Sequence, residues 1–301
     1  MGNFVAPSTG HRHATYCWAA ATETAGRGLI VLVHGFAEHL GRYGHVATYF
    51  AKQGFDVCGI DHHIHGLSEG FDSDRGYLKN AGELVTNFSE FVLAEVVPRN
   101  GPHYVYCHST GGLVTLLALD RGLHAKWPKL SAVVYWAPLI RQPSAIAQPL
   151  YCCPTVAGCC LSCGLTCGTC CRLPGVLPGQ LSSFEPSEAA TRRDPLYFGW
   201  KANLSIVRAL LSGTVSAQQC LDRPTYPFLV MVSPDDKLVD PSACKALFDQ
   251  APSSVKFFES ATFKGAEHEL HNEQDWQKPL ETASEWLVSV PAPTVGGTQT
   301  Q

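Results

Sequence analysis

The sequence predicts a doubly wound α/β protein with a mostly parallel central sheet and helices on both faces. Three observations lead there. Short apolar runs alternate with longer stretches at helical spacing from Gly28 to Val288, the pattern that repeated βαβ units produce. The chain has 301 residues, long for an average domain but ordinary for one α/β unit. Hydrophobic residues make up 45% and charged residues 16%, a balance that lets a globular chain bury a large core.

Leu29 to Val33 is a continuous aliphatic run ending at His34-Gly35 and reads as a buried strand. Tyr43 to Lys52 carries apolar residues at helical spacing and stops before Gly54. Phe55 to Ile60 is the next strand, and Glu83 to Val97 an amphipathic helix closed by Pro98. His103 to Cys107 is a short strand, Gly111 to Leu119 a helix, and Leu130 to Trp136 a further strand. Pro227 to Val232 and Val255 to Phe258 supply two more strands, separated by a helix near Ala243 to Gln250. A last helix is expected from Leu280 to Val288. Right-handed crossovers fix the winding.

Leu139 to Arg223 interrupts this alternation and is expected as an insertion within a single domain spanning 1–301. Inside it, Gln142 to Cys171 contains no Asp, Glu, Lys or Arg and holds eight cysteines: Cys152, Cys153, Cys159, Cys160, Cys163, Cys167, Cys170 and Cys171. Its Gly and Pro residues argue against a straight spanning helix. Pro291 to Gln301 is polar and reads as a disordered tail.

A net charge of −4 lacks the basic footprint that nucleic-acid binding needs. The start shows no basic-then-apolar secretory pattern, so a cytoplasmic, reducing setting with mostly free thiols is expected for the thirteen cysteines. Met1-Gly2-Asn3 invites N-myristoylation, but Ala6 stands where that pattern wants Ser or Thr. A flexible, untethered start is the expectation.

The chemistry concentrates in Tyr104-Val105-Tyr106-Cys107-His108-Ser109-Thr110-Gly111-Gly112. A serine between a buried strand and a helix sits on a sharp turn that lifts its hydroxyl out of the sheet. Small neighbours are needed there; Gly111 and Gly112 qualify, while Cys107 stands where the Gly-x-Ser-x-Gly pattern has glycine. A serine nucleophile needs a base and a group that holds the base's tautomer. Asp235 or Asp236 follows the strand ending at Val232, and His268 follows the one ending at Phe258. Serine, acid and histidine thus come in the chain order of this fold, at the strand ends where open α/β sheets place their sites. His271 competes with His268 on the same loop and reads as a packing or exposed residue. The oxyanion hole is expected from the backbone N–H groups of Phe36 and Thr110. His34 reads as structural.

These segments resemble the monoacylglycerol lipase and lysophospholipase family of α/β-hydrolases, within the serine aminopeptidase-like group. His34-Gly35-Phe36-Ala37-Glu38-His39-Leu40-Gly41-Arg42-Tyr43 is similar to that family's His-Gly-x-x-Glu-His-x-x-Arg-Tyr signature. Asp61 to Gly70 looks like its Asp-x-x-Gly-His-Gly-x-Ser-Glu-Gly loop, with Ile64 in a glycine position, and Gly265 to His271 like its histidine loop. The resemblance runs from near Tyr16 to Leu287 and fails only in the insertion. It implies an α/β-hydrolase fold, Asp236 as the acid within Asp236-Lys237-Leu238-Val239-Asp240, and Ser109, His268, Phe36 and Thr110 in the roles already given. It also implies hydrolysis of a monoacylglycerol or lysolipid to a fatty acid without cofactor or metal. The insertion becomes a cap over an acyl tunnel, its uncharged stretch making peripheral membrane contact.

For the cap cysteines the readings are buried apolar packing, palmitoylation, or metal binding through Cys160-x-x-Cys163 and Cys167-x-x-Cys170, a spacing cramped for zinc. Other functions compatible with the motifs are a thioesterase, a short-chain carboxylesterase, and a non-catalytic binding protein. Cys107 and Ile64 favour the last.

Overall fold

The computed structural model describes residues 1–21, 23–70, 77–143 and 172–291, with 172–174 and 201–204 described by their backbone alone. Eight strands form one sheet: β1 (Gly2–Val5), β2 (Arg12–Trp18), β3 (Leu29–Val33), β4 (Asp56–Ile60), β5 (His103–His108), β6 (Leu130–Trp136), β9 (Phe228–Met231) and β10 (Lys256–Glu259). Their order is β1-β2-β4-β3-β5-β6-β9-β10. The strands from β4 to β10 run parallel, and β1 and β2 are antiparallel additions at one edge. Every residue of β3, β5 and β6 is buried, as a parallel sheet covered on both faces requires. Each such aliphatic side chain contributes roughly 1.5–3 kcal/mol of burial.

The helices are α1 (Gly44–Lys52), α2 (Ala81–Phe91), α3 (Thr110–Ala118), α4 (Glu185–Arg193), α5 (Leu204–Gln218), α6 (Pro241–Gln250) and α7 (Gln277–Ser289). Gly54, at φ 92°, carries the chain out of α1 where a side chain would strain the backbone. The helix anticipated to Val97 ends its regular part at Phe91 and continues as a wider π turn over Val92–Val96. At the start of α6, Asp240 accepts the Ser242 N–H at 2.9 Å with Pro241 in the first turn, both good starting chemistry for a helix.

Two parts of the chain depart from the sequence reading. The first residues are not a loose start: Gly2 to Val5 pair with Arg12 to Thr15 as β1 on β2, and Phe4 and Ala6 are buried. Those short strands carry no clean two-residue alternation, so periodicity does not reveal them. Within the insertion, the described residues form the antiparallel pair β7 (Arg172–Pro174) and β8 (Lys201–Asn203) with α4 and α5. Helix α5 packs against α2 and α3 and so belongs to the body of the domain. The eight insertion cysteines and the tail beyond residue 291 lie outside the described residues.

β4 lies on one side of β3 and β5 on the other. The strand order therefore reverses at β3 and β5, where an open sheet leaves a crevice at its carboxyl edge. Phe36 follows β3 there, and Ser109 follows β5.

Candidate active site

Ser109 joins β5 to α3 with φ 50° and ψ −116°, a region that costs a non-glycine residue about 1–3 kcal/mol. The surroundings hold it in place. Its N–H donates to the Trp136 carbonyl at 3.0 Å, and its carbonyl accepts from Gly112, Leu113 and Leu139. A Cβ at Gly111 would lie 2.2 Å from the Val33 carbonyl oxygen, so α3 approaches β3 closely only because that residue is glycine. Cys107, in the other glycine position, is fully buried with its thiol donating to the Val134 carbonyl at 3.3 Å. Burial pushes that thiol well above its ordinary pKa, so it is a packed neutral group. The sulfur fits beneath the bend without relaxing it.

His268 and Asp236 are buried, and the ring Nδ1–H donates to Asp236 Oδ2 at 2.8 Å. The other carboxylate oxygen accepts the backbone N–H groups of Leu238 and Val239 at 2.8 and 2.9 Å. With Nδ1 committed to Asp236, Nε2 is the basic nitrogen of the neutral ring. Burial, the largest influence on this imidazole, disfavours its protonated form. The Asp236 charge and hydrogen bond, aided by Glu269 and Glu38, outweigh that and raise the pKa above 6.5. Asp235 points elsewhere, accepting the Gly265 N–H at 2.7 Å. An ion pair from Lys237 to Glu267 ties the loop carrying the acid to the loop carrying the histidine.

Ser109, Thr110, Phe36 and His268 line one cavity of about 360 Å³. Much of the remaining wall is apolar: Leu139, Val176, Leu181, Val207, Leu210 and Leu238. Among the described residues, the backbone N–H groups of Phe36 and Thr110 donate to no protein acceptor, which leaves both free for an incoming oxygen.

A buried charge network lies behind the cavity and explains a motif that was visible in the sequence only as a signature. Glu38 Oε1 accepts from Gly35 N at 2.6 Å, Tyr43 Oη at 2.7 Å and His108 Nδ1 at 3.0 Å. Arg42 donates to Glu38 Oε2 at 3.1 Å and to both carboxylate oxygens of Glu269 at 2.9 and 2.8 Å. It also donates to Thr191 on α4 at 2.7 Å. One guanidinium thus joins the loop after β3, the histidine loop and the insertion. The signal was in the sequence as a Glu and an Arg four residues apart; its meaning required the contact with Glu269.

Replacing Arg42 with Met leaves two buried carboxylates without their cation and is expected to cost about 3–5 kcal/mol of stability. Arg42→Lys retains the charge but loses the two-pronged contact and should cost less. Denaturant midpoints measure both; a loss below about 1 kcal/mol for the Met variant, the level of a surface pair, would show that the network is not a support.

His34 and His271 serve the framework. His34 donates through Nδ1 to the Gly35 carbonyl at 2.8 Å and accepts the His62 N–H at 2.9 Å, the structural role expected of it. His271 is fully buried, stacks on Tyr43 with ring centroids 4.7 Å apart, and has no hydrogen-bond partner for either nitrogen among the described residues. Glu38, His108 and His271 bring three potential ligand atoms within 4.8 Å of one another. The Glu38 oxygens already accept from four donors, however, so this carboxylate reads as the centre of a hydrogen-bond network and not as a metal ligand.

Comparison with known proteins shows the family. Residues 24–275 match the family Hydrolase_4, described as serine aminopeptidase, S33. The chain is 30% identical to a monoacylglycerol lipase of Mycolicibacterium smegmatis over 89% of its length and 90% of the relative's. The crystal structure of a Paleococcus ferrophilus monoacylglycerol lipase superposes with a TM-score of 0.72 at 25% identity, covering 92% of this chain and 98% of the other. A soluble variant of Saccharomyces cerevisiae monoglyceride lipase, solved with a substrate analogue, shares the fold at a TM-score of 0.78 and 19% identity, with 92% of each chain covered. The family match spans most of the chain and includes the segments that carry Phe36, Ser109, Asp236 and His268: this chain belongs to the serine aminopeptidase S33 family of α/β-hydrolases.

Proposed function

We propose that the chain is a serine hydrolase that cleaves the ester bond of a monoacylglycerol, releasing a fatty acid and glycerol. The observation that carries this reading is a serine held at a strained bend, in the same apolar cavity as a histidine whose far nitrogen is bonded to a buried aspartate. The 30% identical relative bearing the name monoacylglycerol lipase supports the choice of substrate.

In this reading the Ser109 hydroxyl attacks the ester carbonyl while His268 Nε2 takes its proton. The Phe36 and Thr110 N–H groups stabilise the oxygen as it gains charge. Collapse expels glycerol, which receives the proton from His268. Water, activated by the same imidazole, then adds to the acyl-serine and frees the fatty acid. Asp236 keeps the proton on Nδ1 throughout. The mostly apolar wall suits an acyl chain, and every step is met by the chain's own groups without a cofactor.

The segment 139–223 is proposed to cover the acyl site and touch the membrane. Its uncharged run 142–171 is suited to a headgroup boundary. Among the described residues, no helix is long and apolar enough to cross a membrane.

A substrate panel tests the proposal. Long-chain monoacylglycerols, free and in vesicles, should exceed butyrate esters in kcat/KM by roughly tenfold or more, because the apolar wall gains from each added methylene. They should also exceed lysophospholipids and acyl thioesters. Preference for either of the latter, or indifference to chain length, would replace the assigned substrate.

A further inference from the structure

The edge of the sheet carries a pair of sulfurs with no part in ester hydrolysis. In the antiparallel pairing of β2 with β4, Cys17 stands directly opposite Cys58. Side chains of directly opposed residues project from the same face with Cβ atoms about 4.5–5.5 Å apart, a separation that small rotations bring into disulfide range. Both are free thiols, Cys17 exposed and Cys58 buried, so one is open to solvent and its neighbour is shielded. A cation accompanies them. The Arg99 guanidinium donates to the Cys17 sulfur at 3.8 Å and is close enough to Cys58 to act on its charge as well. The other described cysteines, Cys107, Cys220 and Cys244, are each buried in separate parts of the fold.

The geometry points to Cys17 and Cys58 as a dithiol modification site that accepts a low-molecular-weight disulfide and closes into a cross-strand bridge. Cys17, the solvent-exposed member of the pair, attacks first. It forms a mixed disulfide with one half of the reagent and releases the other half as a thiol. The Cys58 sulfur then attacks the Cys17 sulfur, breaking the mixed bond and releasing the second thiol. The two protein S–H bonds are replaced by one S–S bond, and the reagent takes up the two electrons and two protons. The second step is the slower one, since burial pushes the Cys58 thiol up to about 12. The bridge would lock β2 on β4, the strand that runs into Asp61. The Asp61 carboxylate accepts the Leu40 N–H at 2.8 Å, so the lock acts on the platform beneath the loop that carries Phe36.

Oxidised glutathione on the full chain is the test, followed by alkylation and peptide mapping without reduction. The expected product is a peptide linking Cys17 to Cys58, with the melting midpoint raised by several degrees, because the bridge closes a loop of about forty residues. Dithiothreitol should reverse both. Cys17→Ser, at an exposed site, should abolish the link and the shift, and Cys58→Ser should stop at the Cys17 glutathione adduct. A wild-type protein that halts at the adduct with Cys58 still alkylatable, or that links Cys17 to another cysteine, would overturn the proposal.

Discussion

Ser109→Ala is expected to lower kcat for ester hydrolysis by about 10⁴–10⁶-fold while the protein remains folded. The substitution removes one oxygen from a cavity wall. Among the described residues, the restraints on the bend are the backbone bonds to Trp136, Gly112, Leu113 and Leu139. Stability should therefore stay within about 1 kcal/mol of the parent, the scale of a change that breaks no packing or network. A fluorophosphonate probe, which reacts only with an activated hydroxyl, should label the parent and leave the variant unmarked. Parent protein that also stays unmarked would point to a fold kept for binding, and variant protein that keeps turning over would move the nucleophile elsewhere. The result bears directly on Cys107, the substitution that most favoured a non-catalytic reading. Its thiol packs beneath the bend, and the Ser109 dihedrals retain the strain of a nucleophile turn.

How much of this was readable beforehand depended on whether the information was local. β3, β5 and β6 announce themselves as uninterrupted apolar runs because both of their faces are covered. Ser109, Asp236 and His268 could be singled out as candidates because each follows a strand in a fixed chain order. β1 and β2 could not be read: Arg12 to Trp18 mixes charged, aromatic and small residues and becomes a strand only through pairing with β4. The join made by Arg42 was equally hidden, since its partner Glu269 is distant in sequence. Ile64 shows the converse. A β-branched residue at φ 64° is a strained choice, at the position where the loop motif it resembles has glycine. Its side chain is nevertheless fully buried in the core, and the apolar contact offsets what the backbone loses.

Asp236→Asn is expected to lower kcat by about 10⁴-fold, the cost of a histidine held in the wrong tautomer. The aspartate accepts the Nδ1 proton and two backbone N–H groups. An asparagine that turns its amide toward the ring would instead donate to Nδ1, placing the proton on Nε2 and leaving Ser109 without a base. The pH profile separates this from simple distortion. In the parent the pKa of His268 lies above 6.5, with burial opposing the protonated ring and Asp236 prevailing. Only the neutral ring can accept the serine proton, so kcat/KM should rise as pH increases through that elevated value. Removing the charge leaves burial as the dominant influence, and the acid limb of the residual activity should move below 6.5. Stability must respond with the opposite sign to activity. A pKa raised by folding stabilises the native state fully below the unfolded value near 6.5, and that contribution disappears as pH climbs through the folded value. The parent should therefore lose part of its stability over the interval in which it gains activity, and the variant should not. Denaturant midpoints on both sides of neutrality measure the difference. An acid limb that does not move on Asp236→Asn would mean that this carboxylate is not what tunes the base.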